Sequence, residues 1–183
     1  MDYKGYTIRI EQDDTCSDSP RDWSNLGVMV CFHTRYALGD KNHGYNFNDY
    51  GSWQELKQAI IKKEKPLIIL PVYMYDHSGL TINTTGFSCP WDSGQIGFIF
   101  ATKQYVRDEY AKKRISKQLK ERVKTVLINE VEIYDQFLRG DVYGYIIEKN
   151  GEHIDSCWGY YGREIAETEA KSIVNYFVKV DAA

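Results

Sequence analysis

The stretch from Pro20 to Asp40, PRDWSNLGVMVCFHTRYALGD, encloses an apolar run between two groups of polar side chains. The run, Leu26 to Phe32, is almost continuously apolar, which is typical of a central β-strand. The residues that flank it are Arg21, Asp22 and Trp23 on one side, and His33, Arg35, Tyr36 and Asp40 on the other. The pattern predicts a buried strand whose two ends carry polar and aromatic side chains that are candidates for a functional site.

Two later stretches have the same character, a polar turn beside an apolar or aromatic run. They are WDSGQIGFIFAT, from Trp91 to Thr102, and DSCWGYYG, from Asp155 to Gly162. Their candidate functional side chains are Asp92, Ser93, Asp155 and Trp158. We predict that the three stretches form one surface built on one sheet.

Helical and strand patterns alternate along the rest of the chain. Ser116 to Arg139 has apolar residues at three- and four-residue steps, which predicts the longest helix. Ser52 is followed three residues later by Glu55, a capping box that predicts a helix from Ser52 to Lys63. Most predicted strands are joined by hairpin turns such as Asn150-Gly151. We therefore predict a single α+β domain over residues 1–183, with a mainly antiparallel sheet and helices packed on one face.

Charge is unevenly distributed along the 183 residues, although the net charge is only −3. This modest value argues against a wholly basic nucleic-acid binder and against a strongly acidic DNA mimic. From Lys103 to Lys124 there are nine basic and three acidic residues, a local charge of +6. From Thr125 to Ala183 there are five basic and eleven acidic residues, a local charge of −6.

The basic segment is the strongest functional signal from charge. Its side chains could contact phosphates, and Tyr105 and Tyr110 could stack on bases. The candidate partner-binding residues are Arg107, Lys112, Lys113, Arg114, Lys117, Lys120, Arg122 and Lys124. A solvated helix face is an equally good interpretation.

Metal and thiol chemistry find little support in the residue spacing. No cysteines are paired as C-x-x-C and no histidines have the spacing of a zinc protease, so the sequence indicates no metal site and no cofactor. Cys31 lies inside the apolar run and Cys157 in a more polar context, which leaves two candidate nucleophiles. We expect Arg21, Asp22 and Asp155 to form structural ion pairs, with Arg35 or Arg163 as partners.

The start of the chain, MDYKGYTIRI, is polar. It lacks the apolar run of a signal peptide, and no later stretch is long and apolar enough for a membrane span. We therefore expect a cytoplasmic protein without a membrane partner, whose four cysteines are free.

Five stretches together resemble a family of small proteins from bacteriophages and mobile elements of gut bacteria. They are PRDWSNLGVMVCFHTRYALGD, DSGQIGFIFATKQYVRDEY, KRISKQLKERV, YDQFLRGDVYGYIIE and DSCWGYYG. The resemblance extends over about residues 21–162. The family includes, or lies close to, an anti-CRISPR inhibitor of the type II-A single-effector nuclease.

The resemblance implies a non-enzymatic role. Such a protein would bind the type II Cas nuclease loaded with its guide RNA, in the bacterial host cell, and block target DNA binding or cleavage. Its acidic residues could compete for a nucleic-acid channel, or its basic segment could contact the guide RNA. The acidic candidates are Glu130, Glu132, Asp135 and Asp141, or Glu164, Glu167 and Glu169.

Three alternatives stay open at this point. The first is an accessory nucleic-acid-binding protein of a phage or plasmid. The second is a small hydrolase that uses residues of the motif stretches, with Asp22, His33, Asp92 and Cys157 as candidates. The third concerns assembly: a tyrosine-rich sheet edge or the long helix could support a homodimer.

Overall fold

A computed structural model describes residues 1–16 and 18–181 of the chain, with side chains up to residue 180. The described residues form two antiparallel sheets of four strands each, together with four α-helices. This arrangement confirms the predicted α+β class. In chain order the elements are β1 (Asp2–Tyr3), β2 (Tyr6–Gln12), β3 (Val28–Cys31), α1 (Trp53–Glu64), β4 (Pro66–Asp76), β5 (Leu80–Asn83), β6 (Ser93–Thr102), α2 (Lys103–Glu109), α3 (Lys117–Leu138), β7 (Val142–Lys149), β8 (Glu152–Tyr161) and α4 (Arg163–Asp181).

The chain divides into two compact units. The terminal unit combines residues 1–18 with residues 136–183, and the central unit comprises residues 19–135. This division does not decide whether the chain folds as one domain, so the single-domain prediction stays a prediction.

The sheet of the central unit has the strand order β3-β6-β4-β5. β6 pairs with β4 along its whole length and with β3 at residues 97–100. Its residues from Ile96 to Ala101 are buried. Within the described residues, Pro71 lies in a part of β4 that has a neighbouring strand on one side only. β5 pairs only with residues 73–76 of β4, and the register shifts between Val72 and Tyr73. Proline is tolerated there because no strand on that side requires its missing N–H.

Helix α1 covers one face of this sheet. Its buried residues Leu56 and Ile60 pack against Val30, Phe98 and Phe100. The capping box is confirmed in slightly altered form: the Ser52 hydroxyl accepts from the N–H of Glu55 at 3.3 Å, while the Glu55 carboxylate accepts from the N–H of Gly51 at 2.9 Å. Both bonds satisfy donors that the start of the helix would leave unpaired.

Gly97, in the middle of β6, lies where neighbouring backbone approaches most closely. A Cβ atom at this position would stand 1.9 Å from the carbonyl oxygen of Val30 and 2.8 Å from the Cα of Cys31. We expect Gly97→Ala to lower the free energy of unfolding by about 1–3 kcal/mol, because β3 would have to move away. Gly94→Ala is the control: its Cβ meets nothing within 4 Å, so chemical denaturation should give nearly wild-type stability.

The sheet of the terminal unit has the order β1-β2-β7-β8 and is covered by α4. Its core joins Ile8 and Ile147 of adjacent strands to Ala170 and Val174 of the helix. The hairpin predicted at Asn150-Gly151 is confirmed, and both residues have positive φ, +55° and +83°, as a tight two-residue turn requires.

The prediction that the three motif stretches share one sheet is wrong. The first two contribute β3 and β6 to the sheet of the central unit, whereas Asp155 to Gly162 belongs to β8 and its following turn in the terminal unit. The physical reason is local: the Asn-Gly turn folds β8 directly back onto β7. Similar composition does not determine which strands pair.

Candidate functional site

Arg21 is the centre of a buried polar cluster in the central unit. Its side chain is only 3% exposed. The guanidinium donates to both carboxylate oxygens of Asp40, at 2.8 and 3.2 Å, and to the Glu130 carboxylate at 3.2 Å. A further bond reaches the carbonyl oxygen of Gly27 at 2.7 Å. The guanidinium thus joins the chain on both sides of β3 to the middle of α3.

The two carboxylates are themselves held by backbone N–H groups. Glu130 accepts from Leu26 at 2.7 Å and from Gly27 at 3.1 Å, and Asp40 accepts from Met29 at 2.9 Å. These bonds to Glu130 explain why β3 begins at Val28 and not at Leu26 as predicted: the two preceding N–H groups donate to a side chain and not to a neighbouring strand.

Burial and charge act in opposite directions on the ionisation of this cluster. Burial acts to lower the pKa of Arg21, but the hydrogen bonds and charges of Asp40 and Glu130 outweigh it and raise the pKa. Burial raises the pKa of Glu130, while the N–H of Leu26 and the guanidinium act against that rise. The expected structural ion pair of Arg21 is confirmed, with Asp40 and Glu130 as its partners. The predicted arginine partners are wrong for Asp22, which pairs with Lys41.

Four of the predicted site residues meet in a shallow cleft of about 310 Å³ in the central unit. They come from two motif stretches: two of them follow β3, and the other two lie at the start of β6. These four are His33, Arg35, Asp92 and Ser93. The cleft is also lined by Asp76 and Trp91, which were not among the predicted site residues.

Charged and aromatic side chains organise the cleft. The Arg35 guanidinium pairs with the Asp76 carboxylate and lies 5.3 Å from the ring centre of Tyr36. The Nδ1 atom of His77 lies 3.4 Å from the Asp92 carboxylate. Asp92 also accepts a weak hydrogen bond from the Cys89 thiol at 3.7 Å.

The eight predicted partner-binding residues from Arg107 to Lys124 are all exposed, and we call them the basic surface. They lie on α2, on the connection that follows it, and on the first turns of α3. Among the described residues, none of the eight has a carboxylate within salt-bridge distance. Their positive charge is therefore not neutralised by direct ion pairs.

Two tyrosines accompany the basic surface. Tyr105 on α2 is 42% exposed, and the Arg122 guanidinium lies 5.3 Å from the ring centre of Tyr110. The segment is well built locally, since the Thr102 hydroxyl caps α2 and the Ser116 hydroxyl caps α3, each accepting a backbone N–H at 3.1 Å. Helix α2 ends at Glu109, and Ala111, in the connection that follows, adopts a left-handed φ of +48°.

The remaining predicted residues stand apart from these arrangements. Asp22 and Trp23 are exposed, and Asp22 pairs with Lys41 at 3.3 Å. In the terminal unit, Asp155 accepts from the Tyr145 hydroxyl at 2.9 Å. Trp158 lies over Gly144, where a Cβ would stand 2.3 Å from the indole ring.

Among residues 1–16 and 18–180, no group of three or more His, Cys, Asp or Glu side chains is arranged to hold a metal ion. Of the hydrolase candidates, His33 and Asp92 line the same cleft, whereas Asp22 pairs with Lys41 outside it. Cys157 is an exposed residue of β8 in the other unit.

The four cysteines are free thiols in different environments. Burial raises the pKa of the Cys31 thiol to about 12, so this thiol stays protonated at neutral and mildly alkaline pH. At about pH 8 we expect Ellman's reagent to modify the exposed Cys157 rapidly and to leave Cys31 intact until the protein unfolds. Peptide mapping before and after addition of guanidinium chloride tests this. Modification of Cys31 at the rate of Cys157 in the folded protein would contradict it.

In the part of the chain that the structure describes, no helix combines the length and the apolar character that crossing a membrane requires.

The fold and these arrangements define a class, an α+β protein with two antiparallel sheets and an exposed basic surface on consecutive helices. Comparisons of the chain with protein-family models, with curated proteins and with solved structures give no match.

Proposed function

We propose that this chain is a non-enzymatic inhibitor of the guide-RNA-loaded type II CRISPR nuclease, acting in the cytoplasm of the bacterial host cell. The sequence resemblance suggests the partner, and the basic surface is the part of the molecule that we assign to the contact. The observation that carries the proposal is that all eight basic side chains are exposed and have no carboxylate partner within the described part of the chain.

A guide-loaded nuclease presents RNA phosphates that such a surface can bind. The effector holds the guide and the target strand along charged channels and recognises them largely by backbone geometry. Lysine and arginine side chains that neutralise phosphates release counterions, which supplies salt-dependent affinity without sequence preference. A protein bound in this way would obstruct the path of the target strand.

Of the two acidic sets, the one that contains Glu130 and Asp135 has weaker structural support than the basic surface. Glu130 is engaged with Arg21, Leu26 and Gly27 inside the central unit. Asp135 accepts from the Thr81 hydroxyl and from the N–H of Ile82, both at 2.7 Å. These two carboxylates already serve the fold, so we do not assign them to a nucleic-acid channel.

A DNA-cleavage assay tests the proposed function. The protein is titrated against a fixed amount of guide-loaded type II-A nuclease, and the mixture is analysed by size-exclusion chromatography with light scattering. We expect inhibition that saturates at a fixed ratio, together with co-elution of the two proteins. The scattering mass of the protein alone also reports whether it forms a homodimer. Undiminished cleavage and separate elution, across several nuclease orthologs, would contradict the proposal.

A second candidate is an accessory protein that binds RNA or DNA without a nuclease. The observation that favours it is the placement of Tyr105 and Tyr110 among the basic residues, since aromatic rings beside cations provide stacking platforms for single strands. Fluorescence anisotropy with labelled single-stranded RNA and DNA, at low and high salt, distinguishes this candidate. Tight, salt-sensitive binding without the nuclease would favour it over the first.

A further inference from the structure

Trp91 is 88% exposed, the highest value among the large apolar side chains of the described residues. It also lines the cleft of the central unit, next to Asp92. A ring this exposed contributes little to the core, and tryptophan is enriched where proteins bind partners. The position of Trp91 at a cleft with charged walls therefore suggests a binding role.

The same cleft already holds a guanidinium group of the chain itself. Arg35 pairs with the carboxylate of Asp76 and lies 5.3 Å from the ring centre of Tyr36. An aromatic face combined with a carboxylate is a favourable environment for arginine, because the ring attracts the cation and the carboxylate accepts its N–H groups. Arg35 and Asp76 line the cleft, and the ring of Tyr36 lies next to Arg35, so one carboxylate of the cleft is already paired with a guanidinium of the chain.

Trp91 and Asp92 form a second aromatic and carboxylate pair. Within the described residues, the polar neighbours of the Asp92 carboxylate are the Nδ1 atom of His77 at 3.4 Å and the Cys89 thiol at 3.7 Å. No lysine or arginine of the described chain pairs with it. This second pair has the components of the first, but no lysine or arginine of the described residues fills it.

The charges that line the cleft favour a cationic ligand. Asp76 and Asp92 contribute two negative charges, Arg35 contributes one positive charge, and His33 is the remaining titratable group of the lining. His77 stands beside Asp92. With both histidines neutral the cleft is acidic, whereas the basic surface has the opposite charge preference.

We infer that the cleft binds an arginine side chain of a protein partner, with its guanidinium over Trp91 and paired with Asp92. This site is separate from the basic surface, so it does not depend on the proposed function. A contact between the cleft and a protein would add to the phosphate contacts that we assign to the basic surface.

The test uses N-acetyl-arginine amide as the probe and the indole N–H resonance of Trp91 as the reporter in nitrogen–proton correlation spectra. We expect a saturable shift with the arginine probe. Its neutral isostere, N-acetyl-citrulline amide, should bind at least about fivefold more weakly, because it cannot pair with the carboxylate. Asp92→Asn should weaken binding of the arginine probe to a similar extent.

Asp22 and Trp23 provide a matched control, since they are also an exposed carboxylate and indole adjacent in sequence, outside the cleft. Asp22→Asn should leave the affinity for the arginine probe unchanged. The Trp91→Ala variant, followed through the amide of Gly94, should lose binding while its spectrum stays folded. Equal shifts with the citrulline probe, an unchanged affinity of Asp92→Asn, or shifts at Trp23 as large as those at Trp91 would each overturn the inference.

Discussion

Replacing Arg21 by methionine is expected to lower the free energy of unfolding by about 3–5 kcal/mol. The substitution keeps most of the side-chain volume but removes the cation that Asp40 and Glu130 share. Two carboxylates would then stay in a site where the arginine side chain was 3% exposed. Since small domains have a total stability of about 5–15 kcal/mol, the loss is a large fraction of the whole. Urea unfolding followed by circular dichroism measures it.

Arg35→Met is the matched control, because Arg35 also pairs with a carboxylate but its side chain is 64% exposed. The Asp76 carboxylate is 18% exposed, but it is a single carboxylate in the lining of an open cleft, so we expect a loss of only about 1 kcal/mol. The double variant Arg21→Met with Glu130→Met should be less destabilised than the sum of its single changes, since only Asp40 then remains without the guanidinium and not both carboxylates. Equal stability of the Arg21 and Arg35 variants would contradict the structural role of the buried cluster.

Neutralising the centre of the basic surface is expected to abolish most of the affinity for a nucleic-acid-containing partner. The quadruple variant changes four residues to glutamine, namely Lys112, Lys113, Arg114 and Lys117. We expect an affinity loss on the order of 100-fold at about 50 mM salt, and a decrease of about 3 in the slope of log affinity against log salt. Anisotropy or nuclease co-elution across a salt series measures both quantities.

A second quadruple variant controls for net charge. Lys41, Lys62, Lys63 and Lys65 are exposed lysines of the same unit that belong to neither α2 nor α3. Changing them to glutamine alters the total charge by the same amount, so a non-specific effect of charge would appear equally in both variants. The expected result is nearly unchanged binding. Equal losses in the two variants would remove the basis for assigning the contact to the basic surface.

Local features of the fold are predictable from the sequence, whereas strand order is not. The helix period of α3, the cap at Ser52 and the Asn150-Gly151 hairpin depend on residues within a few positions of each other, and each was predicted. The division into two sheets depends on β2 pairing with β7, as in the register Ile8 to Ile147. The alternation of apolar and polar residues in β2 and β7 predicts that each is a strand, but it does not specify that they pair with each other.

The candidate sites show the same difference between local and long-range information. The charge of the basic surface was evident because consecutive helices carry it on exposed positions. The buried cluster was not, since Arg21 and Glu130 are 109 positions apart, and the sequence assigned their side chains to unrelated roles. Four predicted site residues, His33, Arg35, Asp92 and Ser93, line one cleft, but its existence and the presence of Asp76 in it became evident only from the three-dimensional arrangement.

The hydrogen bonds of Glu130 have a consequence for how the basic surface meets a partner. Lys117, Lys120 and Lys124 share α3 with Glu130, which is bonded to Arg21 and to the backbone ahead of β3. The helix is therefore fixed in place before any encounter. The entropic cost of ordering then falls on a flexible nucleic-acid strand of the partner and not on the backbone of this helix. Binding should then leave its helix content unchanged and proceed without the large heat-capacity change of coupled folding.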